Sequence, residues 1–166
     1  LLVGEDGIHG HSFWKGATIF PTQLALATSW NPELLEQVGR VTAAEMAPTG
    51  VLWTFSPVLC LTRDLRWGRV GETFGEDPYL IGEFAAAMIR GYQGKGLDDP
   101  TAVLATAKHF AGYSETQGGR DASEADISRR KLRSYFLPPF ERAVRAGAMT
   151  FMTGYQSMDG VPSTAN

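Results

Sequence analysis

Apolar residues recur at helical spacing in three stretches of the chain, each preceded by a helix-start signal. Asn31-Pro32 and Asp77-Pro78 place a side-chain acceptor before a proline at the first helical position, and the third stretch starts around Ser128. Pro138-Pro139 should interrupt the third helix, which closes at Gly147, because proline lacks a backbone donor. The apolar sides predicted to be buried are Leu34, Leu35, Val38, Val41 and Met46; Leu80, Ile81, Phe84, Met88 and Ile89; and Leu132, Tyr135, Phe136, Phe140 and Val144.

Short apolar runs of strand length lie between these helices, at residues 51–61, 102–110 and 149–155. They show little alternation with polar residues, which is typical of strands buried on both faces. Apolar strands separated by amphipathic helices predict an α/β fold with a parallel sheet covered by helices.

The spacing between the strands favours part of a (β/α)8 barrel of the TIM type. A complete barrel needs about 250 residues, so the 166 residues would hold about half of one. A dinucleotide-binding sheet would require a G-x-G-x-x-G segment, and the chain has none. No linker divides the chain. It begins at Leu1 without a methionine and stops at Asn166 after a turn-like segment, so we expect residues 1–166 to be one piece of a longer barrel domain.

Composition narrows the classes of function. With 43% hydrophobic and 20% charged residues the chain resembles an ordinary globular domain, and its net charge of −3 argues against a nucleic-acid partner. No apolar run has the length of roughly 18 residues that a membrane span requires, so we expect no membrane partner. Cys60 is the single cysteine, and the cellular compartment stays open between secreted, periplasmic and cytoplasmic.

Polar residues follow or end the apolar runs, where a (β/α) barrel builds its active site. Each alone has an ordinary structural explanation as a turn residue, a surface ion pair or a core residue. Together they offer acceptors and donors of fixed geometry, which buried recognition of sugar hydroxyls requires. The candidates are Asp6, Arg69, Lys108, His109 and Tyr155, with Trp14, Trp53 and Trp67 as possible aromatic platforms.

A metal site is not predicted. His9 and His11 are close in sequence, but the third histidine is distant and no Cys-x-x-Cys or His-Glu-x-x-His pattern frames them. We predict neither a metal nor another cofactor.

These segments resemble the N-terminal catalytic barrel of family 3 glycoside hydrolases over essentially the whole chain. The long central motif is the most specific of them, whereas Lys-His-Phe alone would be weak. The matching segments are Asp6-Gly7-Ile8-His9-Gly10, Phe20-Pro21, residues 63–69 running on to residues 74–79, Lys108-His109-Phe110, and residues 155–162.

The resemblance implies a retaining exo-acting β-glycosidase of the β-glucosidase type, acting on β-glucosides or oligosaccharides. It implies that Asp6 and Arg69 bind hydroxyls of the terminal glucose, that Lys108 and His109 complete this subsite, and that Tyr155 orients the nucleophile. It places both catalytic carboxylates outside this piece, with the nucleophilic aspartate at a later strand end and the acid/base on a following domain. The remaining barrel and that domain would therefore be the partners of this chain.

Several alternatives stay open. Within the family these are β-xylosidase and β-N-acetylhexosaminidase, although residues 108–114 depart from the histidine-containing pattern of the hexosaminidase branch. Leu65 and Gln156 also depart from the usual proline and asparagine. Outside the family, a non-catalytic carbohydrate-binding module or a scaffold with merely superficial polar strand ends would have a similar pattern.

The adjacent residues Lys108 and His109 also predict an irregular backbone. Adjacent residues of a regular strand face opposite sides, so both can reach one pocket only if the backbone departs from regular strand geometry. We expect such a departure, for example a non-proline cis peptide.

Overall fold

The computed structural model describes all residues from Leu1 to Asn166. Its centre is a parallel sheet whose strands follow chain order, β1-β2-β3-β4. The strands are β1 (Val3–Glu5), β2 (Val51–Thr54), β3 (Leu104–Phe110) and β4 (Thr150–Thr153), and a hairpin of β5 (Ser157–Met158) and β6 (Val161–Pro162) follows. The sheet is open between β1 and β4 and has helices in its connections, which is the arrangement of an unclosed (β/α) barrel.

Three of the five helices begin where the sequence signals predict. The five are α1 (Gln23–Ala27), α2 (Pro32–Met46), α3 (Pro78–Gln93), α4 (Arg129–Lys131) and α5 (Pro138–Arg145). Three of them start with a capping side chain that accepts a backbone N–H, from Asn31 for α2, Asp77 for α3 and Ser128 for α4. A π-helical segment, Leu132–Phe136, separates α4 from α5, so the predicted interruption at the proline pair is confirmed.

Some predicted buried positions are wrong. Leu34, Val41, Tyr135 and Val144 are exposed, because the helices bury narrower stripes than the apolar pattern suggested. No helix of the protein is both apolar enough and long enough to cross a membrane.

The predicted strand at residues 51–61 is regular only as far as Thr54. The chain continues beside β3, since the carbonyls of Ser56 and Pro57 accept N–H groups of Thr106 and Lys108 at 3.0 and 3.1 Å. Pro57 itself has no N–H to donate, so the ladder is incomplete there. The Gln23 side chain satisfies the backbone groups of Val58. Its Nε2 donates to the Val58 carbonyl at 3.0 Å, and its Oε1 accepts from the Val58 N–H at 3.1 Å.

Four elements, β1, α1, β5 and β6, escaped prediction because they are short. The three residues of β1 and the five of α1 are too few to display a period. The other two predicted strands, at residues 102–110 and 149–155, correspond to β3 and β4.

Two glycines allow α2 and α3 to pack backbone to backbone over the sheet. A Cβ at Gly91 would lie 2.3 Å from the Glu36 carbonyl oxygen and 2.9 Å from the Arg40 nitrogen, and a Cβ at Gly39 would lie 2.8 Å from the Met88 oxygen. The buried side chains between these helices and the sheet include Leu35, Val38, Met46, Ile81, Phe84, Met88, Val103 and Ala105. This close packing fixes the position of α3 relative to the strands whose ends carry the polar residues.

We predict that Gly91→Ala destabilises the fold by about 1–3 kcal/mol, although alanine is the better helix former, because the neighbouring backbone cannot give way. Gly82→Ala in the same helix is the matched control. Its Cβ would lie 3.2 Å from the Cβ of Arg142, an overlap that a shift of a few tenths of an ångström relieves, so a change within about 1 kcal/mol is expected. Chemical denaturation measures both, and equal losses would contradict the packing argument.

Candidate functional site

The predicted polar residues gather at the carboxyl ends of the strands. Asp6 follows β1, Arg69 lies in the loop that follows β2, Lys108 and His109 lie near the end of β3, and Tyr155 follows β4. The side chains of Asp6 and Lys108 contact each other, as do those of Arg69 and His109. These four side chains, with Tyr155 beside them, are called the strand-end cluster below.

An ion pair joins the first and third strands. The Lys108 ammonium donates to Asp6 Oδ1, across 102 residues of sequence. The Lys108 side chain is 4% exposed, whereas that of Asp6 is 50% exposed. An ionised carboxylate can accept about four hydrogen bonds, so Asp6 can pair with Lys108 and still accept from a ligand.

The backbone departs from regular geometry where the sequence required it. The peptide between Lys108 and His109 is cis, and both side chains are buried. The pairing of β3 with β4 also shifts register between Lys108 and Phe110. The predicted departure from strand geometry is confirmed.

His109 is a neutral imidazole. Burial first, and then the positive charges of Arg69 and Lys108, lower the pKa of His109 to about 3. Arg69 Nη2 lies 3.4 Å from Nε2 and can only donate, so Nε2 must be the unprotonated nitrogen. The proton is then on Nδ1, which faces the Cys60 sulfur at 3.5 Å.

Cys60 stays a thiol in this position. Burial raises the pKa of Cys60 to about 12. The sulfur can therefore accept from His109 Nδ1 while its own S–H points toward the Lys108 carbonyl, 4.0 Å away.

Glu72 holds Arg69 in a fixed orientation. Arg69 Nε and Nη2 donate to the two carboxylate oxygens of Glu72 at 2.9 and 2.8 Å, and this pairing raises the pKa of Arg69. Both side chains are mostly buried, 22% and 27% exposed, so the surface ion-pair explanation does not hold for Arg69, although Arg66 of the same segment does form a surface ion pair with Asp64. Nη1 remains directed at the Tyr113 hydroxyl, 3.4 Å away.

Tyr155 borders the cluster from the β4 side. The residue is 73% exposed, which contradicts the explanation that it belongs to the core. Its ring centroid lies 6.4 Å from that of His109 and 5.8 Å from that of Tyr113. The phenol is therefore available to a group outside the described residues.

The tryptophans are less suited to a sugar platform than the sequence suggested. Trp67 is 2% exposed and meets Tyr113 edge to face, with interplanar angle 90°. Trp14 is exposed but stacks on His11, and Trp53 donates to Thr106 Oγ1 at 2.6 Å from within the sheet. Beside the cluster the exposed aromatic ring is that of Tyr155, whereas Tyr113 is as buried as Trp67, at 1% exposure.

Four residues around the site were missed by sequence reasoning, namely Cys60, Glu72, Tyr113 and Asp121, whose carboxylate accepts from the Tyr113 hydroxyl. Glu72 follows Arg69 by three residues, a spacing that signals an ion pair. The contacts of the other three depend on long-range folding, and no local signal marks them.

The two neighbouring histidines have other contacts. His11 Nδ1 lies 2.5 Å from a Glu5 oxygen and Nε2 lies 2.9 Å from Thr49 Oγ1, and His9 does not join them. No group of three or more His, Cys, Asp or Glu side chains is placed to hold a metal ion.

In the strand-end cluster and the adjoining Glu72, each carboxylate is paired to a cation. Asp6 pairs with Lys108 and Glu72 pairs with Arg69, and both cations lie close enough to the neutral His109 to lower its pKa. Such an arrangement offers donors and acceptors to a neutral polyhydroxylated molecule, which needs both for every hydroxyl.

We predict a pH effect on stability from His109. The unfolded chain protonates this imidazole below about pH 6.5, whereas the folded protein keeps it neutral down to about pH 3. The unfolded state then binds more protons, so stability falls as the pH is lowered through this window, by up to about 1.4 kcal/mol per pH unit. Thermal unfolding of the complete protein between pH 7 and 5 should show a flatter dependence for His109→Gln, and equal slopes would contradict a buried neutral imidazole.

Comparison with known proteins gives relatives along the whole chain. A "Beta-xylosidase" of Formosa agariphila is 42% identical over 169 residues, covering 97% of this chain and 23% of that protein. A "Periplasmic beta-glucosidase" of Salmonella typhimurium is 36% identical and covers 100% of this chain and 21% of that protein. The chain thus spans about a fifth of the length of these curated relatives.

Solved structures agree with the fold. A β-glucosidase involved in saponin metabolism from intestinal bacteria superposes with a TM-score of 0.96 at 64% identity, covering 99% of this chain and 22% of that one. A β-glucosidase from Listeria innocua has a TM-score of 0.93 at 39% identity, covering 99% and 22%. The predicted α/β fold, part of a barrel, is confirmed.

The family described as glycosyl hydrolase family 3 N terminal domain matches residues 1–166. With this match over the whole length and the relatives above, the chain belongs to glycosyl hydrolase family 3.

Proposed function

We propose that the complete protein is a retaining, exo-acting β-glycosidase that hydrolyses O-glycosyl bonds and releases terminal β-linked glucose from β-glucosides or oligosaccharides. Residues 1–166 would supply its sugar-binding subsite. The observation that carries this proposal is the convergence of Asp6, Arg69, Lys108 and His109 at the carboxyl ends of the strands.

Each side chain would have a separate task at the sugar. Asp6 is half exposed and would accept from hydroxyls, while Lys108 holds it in place and donates from beneath. Arg69 is fixed by Glu72, His109 and Tyr113 and would present its one remaining N–H group, on Nη1, to the sugar. Fixed donors and acceptors of this kind discriminate strongly against ligands that leave them unpaired.

The chemical step would require groups that this chain does not supply. A retaining mechanism uses two carboxyl groups about 5–5.5 Å apart, one as nucleophile and one as acid/base. The carboxylates of Asp6 and Glu72 are both ion-paired, which suits binding rather than attack. The exposed phenol of Tyr155 would donate to the nucleophilic aspartate, contributed with the acid/base by other parts of the protein.

The open edge of the sheet supports a continuation of the barrel. Beside β4 lies an apolar groove of about 500 Å³, with one charged residue in its lining. Its walls are Phe110, Leu137, Phe140, Glu141, Val144 and Phe151. We propose that residues 1–166 belong to the N-terminal barrel domain and that its remaining strands and helices cover this groove.

A β-xylosidase activity is the second candidate, because the 42% identical relative carries that name. Glucose and xylose differ in the hydroxymethyl group alone, and the strand-end cluster would serve both. Rates on aryl β-glucoside and aryl β-xyloside with the complete protein separate the two, whereas no turnover of either would favour a non-catalytic carbohydrate-binding role.

We predict that Asp6→Ala and Lys108→Ala each lower kcat/KM of the complete protein on an aryl β-glucoside by about 100-fold or more. Either change removes a charge-assisted contact with the sugar and leaves the partner charge unpaired, at about 1.5–3 kcal/mol for the hydrogen bond alone. Asp98→Ala and Lys15→Ala remove exposed charges of the same type and should stay near wild type. Folded variants that retain more than about a tenth of the activity would remove these residues from the site.

We predict that the 166-residue chain expressed alone does not hydrolyse aryl β-glucosides. Its binding groups lack a nucleophile, and the absence of a general acid alone commonly costs about 10²–10⁴-fold. Extension through the following strands and domain should give activity. Turnover by the purified short chain, in a preparation free of host glucosidase, would show instead that the catalytic pair lies within it.

A further inference from the structure

A carboxylate outside the strand-end cluster connects two of the aromatic side chains that surround Arg69. Asp121 Oδ1 accepts from Trp67 Nε1 at 2.7 Å and from the Tyr113 hydroxyl at 2.9 Å. These donors lie 54 and 8 residues away in sequence. We propose that Asp121 is a positioning residue of the sugar site, which orients Arg69 through the hydroxyl of Tyr113. The inference rests on the proposed function.

The hydroxyl proton of Tyr113 points toward Asp121. A phenol has one proton, and the carboxylate of Asp121 can only accept it. The lone pairs of the phenol oxygen are then free for Arg69 Nη1, which lies 3.4 Å away. Burial, reinforced by Asp121, raises the pKa of Tyr113 to about 12, so the hydroxyl keeps this proton.

Two neighbouring side chains, Glu72 and Tyr113, orient Arg69. Glu72 binds Nε and Nη2, which leaves Nη1 with the Tyr113 hydroxyl as its partner. The guanidinium carbon also lies 5.4 Å from the centre of the Tyr113 ring. Displacing Tyr113 would therefore release one end of the guanidinium while Glu72 still held the other.

The contacts of Asp121 and Tyr113 join two loops of the protein. Trp67 and Arg69 come from the loop after β2, and Tyr113 and Asp121 come from the loop after β3. Other contacts support the junction, since Arg63 Nε lies 3.5 Å from Glu115 and a Cβ at Gly119 would lie 2.5 Å from Arg66 Cβ. Asp121 is the contact of this junction that leads to Arg69, and through Tyr113 also to His109, whose ring centroid is 4.7 Å away.

The test uses the complete protein with Asp121→Ala, Asp121→Asn, Tyr113→Phe and the double variant Asp121→Ala/Tyr113→Phe. Asp126→Ala, an exposed carboxylate of the same loop, is the matched control. We expect Asp121→Ala to lower kcat/KM about tenfold on the better aryl β-glycoside, mainly through KM, since the loss is in sugar binding. Asp121→Asn keeps the accepting oxygen and should stay within about threefold of wild type, and Asp126→Ala should be unchanged.

The double variant distinguishes positioning from an independent role. If Asp121 acts through Tyr113, Tyr113→Phe should show a loss similar to that of Asp121→Ala, and the double variant should be within about twofold of Asp121→Ala. Activity of Asp121→Ala within twofold of wild type, or a double loss equal to the product of the single losses, would overturn the proposal.

A crystal structure of Asp121→Ala provides a readout that needs no activity. We expect the Tyr113 hydroxyl to leave Arg69 Nη1, and an unchanged contact would overturn the proposal. If the wild-type protein hydrolyses neither glycoside, the proposed function fails, and the crystal structure still decides the role of Asp121.

Discussion

The buried ammonium of Lys108 is the constraint on which the arrangement of the site depends. Removing a charge from water costs several kcal/mol, and this cost is offset only by a well-placed counter-charge. Asp6, 102 residues earlier in the chain, provides this counter-charge. The ion pair therefore joins β1 and β3 at their carboxyl ends, with β2 between them. The same ion pair leaves half of the Asp6 side chain exposed at the edge of the sheet.

The remaining polar groups follow from the position of that cation. His109 lies beside two positive charges in a buried place, and both burial and charge keep its imidazole neutral. Arg69 is acceptable next to them because Glu72 satisfies it on two sides. The result is a rigid, nearly neutral group of donors and acceptors, which suits an uncharged sugar better than a phosphate or a metal ion.

Much of the fold was predictable because its signals are local. The starts of α2, α3 and α4 depend on capping side chains within three residues, and the polar strand ends follow directly from the apolar runs. Long-range contacts were not predictable. Gln23 completes the hydrogen bonding of Val58 across 35 residues, and Asp121 accepts from the Trp67 indole across 54 residues. The contact of the Tyr113 hydroxyl with Arg69 likewise spans 44 residues.

The most direct test of the account is a crystal structure of the complete protein with glucose bound. The account predicts one sugar ring at the carboxyl ends of the strands, with its hydroxyl oxygens within about 2.7–3.2 Å of Asp6, Lys108 and Arg69 and with His109 against the same ring. A glucose molecule bound in a productive site that these four side chains do not touch would contradict it.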